Sequence, residues 1–137
     1  MAEQRSPAVR SEDALEATLV ALRPILSESA VACFVVTLRR DVVFCNDACA
    51  ELVGLPRSVI ENMQGPEVFS PAGEVCEICA LMRPTLDEGK SSSGKAARFE
   101  TRGHGWVAVT LDTVPLRDPA GSVVGGLGLM QDRRSAQ

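Results

Sequence analysis

The run "ILSESAVACFVVTLRRDVVFCNDACAELVGLP", Ile25 to Pro56, changes character twice. From Val31 it turns apolar and β-branched: ACFVVTL, a polar RRD, then VVFC. Two such runs across a short polar break predict a tight hairpin. Asn46 and Asp47 end the second strand. Asp47 is expected to cap a short helix, ACAELVG, stopped by Gly54.

Upstream, residues 1–10 are expected to be a disordered arm, with a helix over 11–27 opened by Ser11 and carrying Glu12 and Asp13 in its first turn. Leu15, Leu19, Leu22 and Leu26 recur at spacings of four, three and four, one apolar stripe. Pro24 is expected to kink or restart this helix. The stripe suits packing on its own domain and a dimer seam equally, since two heptads are too short to decide.

Downstream, Pro56 and Ser58 open a short helical piece, SVIENM, and QGPEVFSPAG reads as a loop. EVCEICALMRPTLDEG is helical by composition, with Pro84 expected to kink or split it and Gly89 to cap it. KSSSGK reads as a flexible link. Three β runs follow, AARFETR, HGWVAVTLDTVPL and SVVGGLGLMQD, joined by turns at RGHG and DPAG. Residues 133–137 form a tail. Helix, two strands, short helices and three strands make an α+β domain, with five antiparallel strands burying one face beneath the helices.

Composition narrows the function. The chain has 137 residues, 45% apolar and 23% charged, which suits one domain with one core. No apolar run reaches about 18 residues, so no membrane span is expected. The polar, acid-bearing start is neither a secretory signal nor a transit peptide, which points to the cytoplasm. Net charge is −4, cations cluster only as Arg39-Arg40 and Arg133-Arg134, and tyrosine is absent. Direct nucleic-acid binding is therefore not expected.

This order of elements resembles a PAS sensor domain over about residues 22 to 132. In that family two strands are followed by an Asn and a short helix ending in Gly, here Asn46 and Gly54. The last hairpin, "PLRDPAGSVVGGLGLMQD", carries an Asp-x-x-Gly turn at Asp118 to Gly121 and an Asp after the final strand, Asp132. The resemblance implies a five-stranded antiparallel sheet with short helices over one face, preceded by an N-terminal amphipathic helix. The middle, "VCEICALMRPTLDEGKS", resembles a cysteine-bearing subgroup found in bacterial transcription activators and histidine kinases. Many of that subgroup carry a further cysteine about ten residues upstream; QGPEVFSP has none. The expected partners are a second copy of the chain, through the N-terminal helix or the sheet, and an effector domain or partner protein.

Five cysteines in a chain without an export signal argue against a disulfide framework. Cys76 and Cys79 lie at i and i+3, on one face of a helix. Cys45 ends a strand and Cys49 lies in the helix after it. A C-x3-C and a C-x2-C pair, separated by the 26 residues Ala50 to Val75, could together hold zinc or an iron–sulfur cluster. Since PAS helices surround a cofactor pocket, the resemblance implies that both pairs could face one cavity. Redox disulfides and plain core packing remain open alternatives, and Cys33 reads as a packing residue.

Other chemistry finds little support. His104, the only histidine, falls in the RGHG turn. The helix that holds haem iron through histidine in some PAS domains has none here, and FCNDAC does not match the flavin-binding motif. No triad can be built around the single His, so no enzyme activity is expected. The leading expectation is a sensory module that reads redox state or oxygen through a cluster on Cys45, Cys49, Cys76 and Cys79. The alternatives are a metal-free module with a ligand pocket lined by Phe34, Val36, Phe69 and Leu81, and a zinc-stabilised structural domain.

Overall fold

β1, Ala32–Thr37, is buried along its whole length, because both faces of its sheet are covered. Ala32, Phe34 and Val36 point into an inner core under the short helices. Cys33 and Val35 point the other way, beneath the N-terminal helix. Double coverage explains why this strand reads as a continuous apolar run rather than an alternating one.

The computed structural model describes residues 7–133, with side chains from Glu12 onward. In chain order, α1 is Pro7–Ser27, followed by β1 and by β2, Val42–Cys45. Then come α2, Asp47–Val53, α3, Arg57–Ile60, α4, Gly65–Phe69, and α5, Glu77–Glu88. β3, Ser92–Glu100, β4, Trp106–Arg117, and β5, Val123–Asp132, complete the chain. The strands form one antiparallel sheet in the order β2-β1-β5-β4-β3. The expected α+β class and five-stranded sheet are therefore present.

α1 lies on the outer face of its own sheet. Leu15, Leu19 and Leu26 are buried against Cys33, Val35, Phe44, Leu116 and Val124, with Leu22 packed alongside. Each fully buried leucine contributes about 1.5–3 kcal/mol. Of the two readings of the stripe, the dimer seam is corrected: these leucines already have an apolar partner in the same chain. The opposite side of α1 exposes Val20 and Ile25.

Several boundaries differ from expectation. α1 includes residues 7–10, which were expected in the arm, while residues 1–6 and the tail beyond Arg133 lie outside the described residues. Pro24 and Pro84 each lie inside a helix that continues past them. Asn46, not Asp47, caps α2. QGPEVFSPAG is not all loop. Gln64 and Glu67 form a capping box, with the Gln64 N–H donating to Glu67 Oε1 at 2.9 Å, and Pro66 sits in the first turn of α4. Most of KSSSGK belongs to β3, with an irregularity between Ser92 and Lys95 where the strand joins β4.

β4 is longer than the strand beside it. Its pairing with β3 stops at Thr113, while its pairing with β5 continues to Arg117. Pro115, which lacks an N–H, sits in that overhang opposite Gly126 of β5.

Candidate functional site

Cys76 is the N-cap of α5, and its Sγ accepts the N–H of Cys79 at 3.2 Å. The same two residues are joined as a disulfide, with their Cα atoms 5.2 Å apart. Both are half-buried, and Val75 just before them is exposed. Cys76 packs against the inner core. Cys79 Sγ lies over Gly65 of α4, where an added Cβ would stand 3.5 Å from it.

The rest of α5 is tied down. Glu77 accepts the N–H of Arg98 at 3.1 Å and pairs with its guanidinium at 3.3 Å, linking the first turn to β3. Ile78, Met82 and Leu86 are buried. A Cβ on Gly126 of β5 would meet Met82 Sδ at 2.8 Å, so the bare glycine lets the helix seat against the sheet. Near the C-terminal end, Thr85 Oγ1 lies 2.7 Å from Thr113 Oγ1, which in turn lies 2.7 Å from Ser92 Oγ. The disulfide therefore sits at the N-terminal end of a helix anchored along its length.

A second pair lies deeper. Cys45, at the end of β2, and Cys49, in the first turn of α2, are both fully buried. Their thiols are hydrogen-bonded to each other. That bond pushes Cys45 below the ordinary thiol value against the opposing effect of burial. The same bond, with burial, pushes Cys49 well above it. Burial likewise raises Cys33, with hydrogen bonds from Ser29 and Asn46 opposing.

Asn46 organises this region. Its Oδ1 accepts the N–H groups of Cys33 and Cys49, each at 3.0 Å. Its Nδ2 donates toward the carbonyls of Leu26 at 3.0 Å and Val31 at 2.8 Å. One buried amide thus joins the end of α1, the start of β1 and the start of α2. The sequence marked Asn46 as the residue between strand and helix but carried no sign of these long-range partners. Arg102 was not singled out by the sequence either. Its guanidinium donates to the carbonyls of Glu67 and Val68, and its N–H donates to Val53 O at 2.8 Å.

The four cysteines do not form one site. Among the described residues no three His, Cys, Asp or Glu side chains come together as a metal-holding group. The sulfurs of Cys76 and Cys79 are bonded to each other, and Cys45 and Cys49 form a separate, fully buried pair. An iron–sulfur cluster or zinc requires several thiolates converging on one centre, and among the described residues these four do not converge.

The expected pocket residues Phe34, Val36 and Phe69 lie in the inner core, and Leu81 packs against it. The Phe34 and Phe69 rings stand 5.0 Å apart and the Phe69 and Phe99 rings 5.2 Å, so aromatic side chains occupy this part of the interior. An open cleft of about 600 Å³ lies elsewhere, between Ala30–Ala32, α2 and Met130–Asp132, and none of those four residues lines it. His104 is exposed in the β3–β4 turn.

A family model described as the PAS fold matches residues 21–133. The chain belongs to the PAS family. Three solved structures share the fold of this PAS domain. An RNA-binding light-oxygen-voltage receptor superposes with a TM-score of 0.68 at 19% identity, over 84% of this chain and 34% of its own. The PAS domain of the fruit-fly ELK potassium channel gives 0.68 at 15%, over 83% and 95%. The LOV protein of Rhodobacter sphaeroides gives 0.71 at 16%, over 85% and 67%. The chain thus spans about a third of the first of these proteins. No curated protein sequence matches it. PAS domains are typically sensory, non-catalytic modules, commonly joined to effectors and often dimeric. Among the described residues no helix is long and apolar enough to cross a membrane.

Proposed function

We propose that this PAS domain is a redox sensor whose input is the Cys76–Cys79 couple. The observation that carries this reading is that Cys76 is both half of the disulfide and the N-cap of α5. Reduction breaks the S–S bond, adds two electrons and two protons, and leaves the first turn of α5 held by the N-cap hydrogen bond and the Glu77–Arg98 contact. Oxidation by a disulfide- or peroxide-class oxidant reverses this. A couple that cycles in this way suits a cytoplasmic setting, where structural disulfides are rare and redox-sensing ones are transient.

Output follows the packing of α5. Met82 and Leu86 meet Gly126 on the inner face of the sheet, and Leu15 of α1 meets Gly125 on the outer face. A shift of α5 would thus reach α1 through one strand. The recipient is an effector domain or partner protein, of the kind found in the transcription activators and histidine kinases whose cysteine-bearing PAS modules the Cys76–Leu81 motif resembles. Pairing of two copies would use the exposed side of α1, which carries Val20 and Ile25.

The test compares hydrogen exchange of the reduced and oxidised protein. Oxidation is expected to slow exchange in the first turn of α5 and to alter exchange in α1, and a Cys76→Ser/Cys79→Ser variant should lose both responses. A variant that responds to oxidant as the wild type does would refute the reading.

A further inference from the structure

The two sulfurs of the couple are not equivalent, and the geometry points to a direction of attack. We infer that the reductant is a protein dithiol, which attacks Cys79 Sγ and expels Cys76 as the thiolate; this rests on the redox reading above.

Cys76 Sγ already accepts the Cys79 N–H at 3.2 Å, at the N-terminus of the 12-residue α5. A backbone donor and the positive end of a helix both stabilise negative charge on that sulfur. Cys79 sits inside the first turn, and its N–H is the one spent on Cys76. In thiol–disulfide exchange the sulfur that better bears charge leaves faster, so attack falls on the other one. Packing does not separate the two sulfurs: both residues are half-buried, Cys76 against the inner core and Cys79 against Gly65.

The step balances as follows. A partner thiolate bonds to Cys79 Sγ, the Cys76–Cys79 bond breaks, and its electron pair stays on Cys76. The second thiolate of the partner then attacks the partner's own sulfur in the mixed disulfide and releases Cys79. The partner ends as a disulfide, and the two protons from its thiols end on Cys76 and Cys79. The reductant must carry two thiols because the N-cap hydrogen bond keeps the Cys76 thiolate beside Cys79 after the first step. There it acts as an intramolecular nucleophile at high effective concentration and would expel a monothiol before a second molecule arrived. A dithiol resolves the intermediate from its own side.

The experiment mixes the oxidised wild-type protein with a reduced Cys-x-x-Cys oxidoreductase and quenches within milliseconds, so that the transient mixed disulfide is caught before either resolving thiol acts. Acid quenching, alkylation with N-ethylmaleimide and peptide mapping then locate the adduct. The expected result is the partner on Cys79 and the alkyl group on Cys76, in at least tenfold excess over the reverse. Equal labelling, or the partner on Cys76, overturns the direction of attack. Reduction by dithiothreitol with no trapped adduct overturns the protein dithiol. A protein with no disulfide by thiol counting, or one dithiothreitol leaves oxidised, removes the redox reading itself.

Discussion

Gly125 and Gly126 serve opposite faces of β5. A Cβ on Gly125 would come within 2.9 Å of Leu15 Cδ1 and 2.7 Å of Val36 O, and one on Gly126 within 2.8 Å of Met82 Sδ. Two adjacent residues of one strand therefore seat α1 and α5 on the two sides of the sheet.

The two glycines should respond differently to Ala. At Gly126 the obstacle is a flexible methionine end, which can move. Gly126→Ala is expected to cost about 1 kcal/mol, at the low end for added core volume. At Gly125 the obstacle includes backbone, so Gly125→Ala should cost about 2–3 kcal/mol and loosen α1. Urea unfolding measures both; equal losses would contradict the asymmetry.

The placement of α1 is tested by two residues on opposite sides of it. Leu19 is 0% exposed and Ile25 68%. Leu19→Ala should lose about 2–4 kcal/mol. Ile25→Ala should stay within about 0.5 kcal/mol. Similar effects in chemical denaturation would place α1 differently.

Asn46→Ala removes the cap of α2 and leaves the Cys33 N–H buried without its acceptor. A lost cap costs about 1 kcal/mol and a stranded buried donor about 1–3 kcal/mol, so the total should reach about 2–4 kcal/mol. Asn46→Asp keeps the acceptor but buries a charge, and should not restore wild-type stability. Thermal and urea unfolding of both variants check this.

Alkaline pH offers a separate check on burial. The Cys33 thiol is raised, so above the ordinary thiol value the unfolded chain has lost a proton that the folded chain keeps. The folded state then binds more protons, and Cys33 makes stability fall as pH rises from about 8.5 through its folded value. Cys33→Ala should flatten that fall between about pH 8 and 10. An unchanged slope in pH-dependent urea unfolding would show that Cys33 titrates normally.

The strands were legible because their signals are local. ACFVV is apolar throughout since both of its faces are covered, and β4 alternates exposed and buried from Trp106 to Val109. α4 was missed because five residues span too little for a helical period, although the Gln64–Glu67 box and Pro66 did mark its start. The cysteines show the limit of spacing. C-x3-C and C-x2-C give the reach of each pair, but whether the pairs meet depends on how α2 and α5 seat on the sheet. That seating is decided by Asn46, Gly126 and the phenylalanine rings, which carry no local signal for it.

The overhang of β4 past Thr113 also bears on solubility. An unpaired strand margin invites a strand from another molecule to add by backbone hydrogen bonding, the first step of edge-to-edge aggregation. Pro115 interrupts that margin with a nitrogen that cannot donate, next to the half-exposed Val114. Pro115→Val would restore a continuous row of donors there and turn the overhang into a template for intermolecular strand addition.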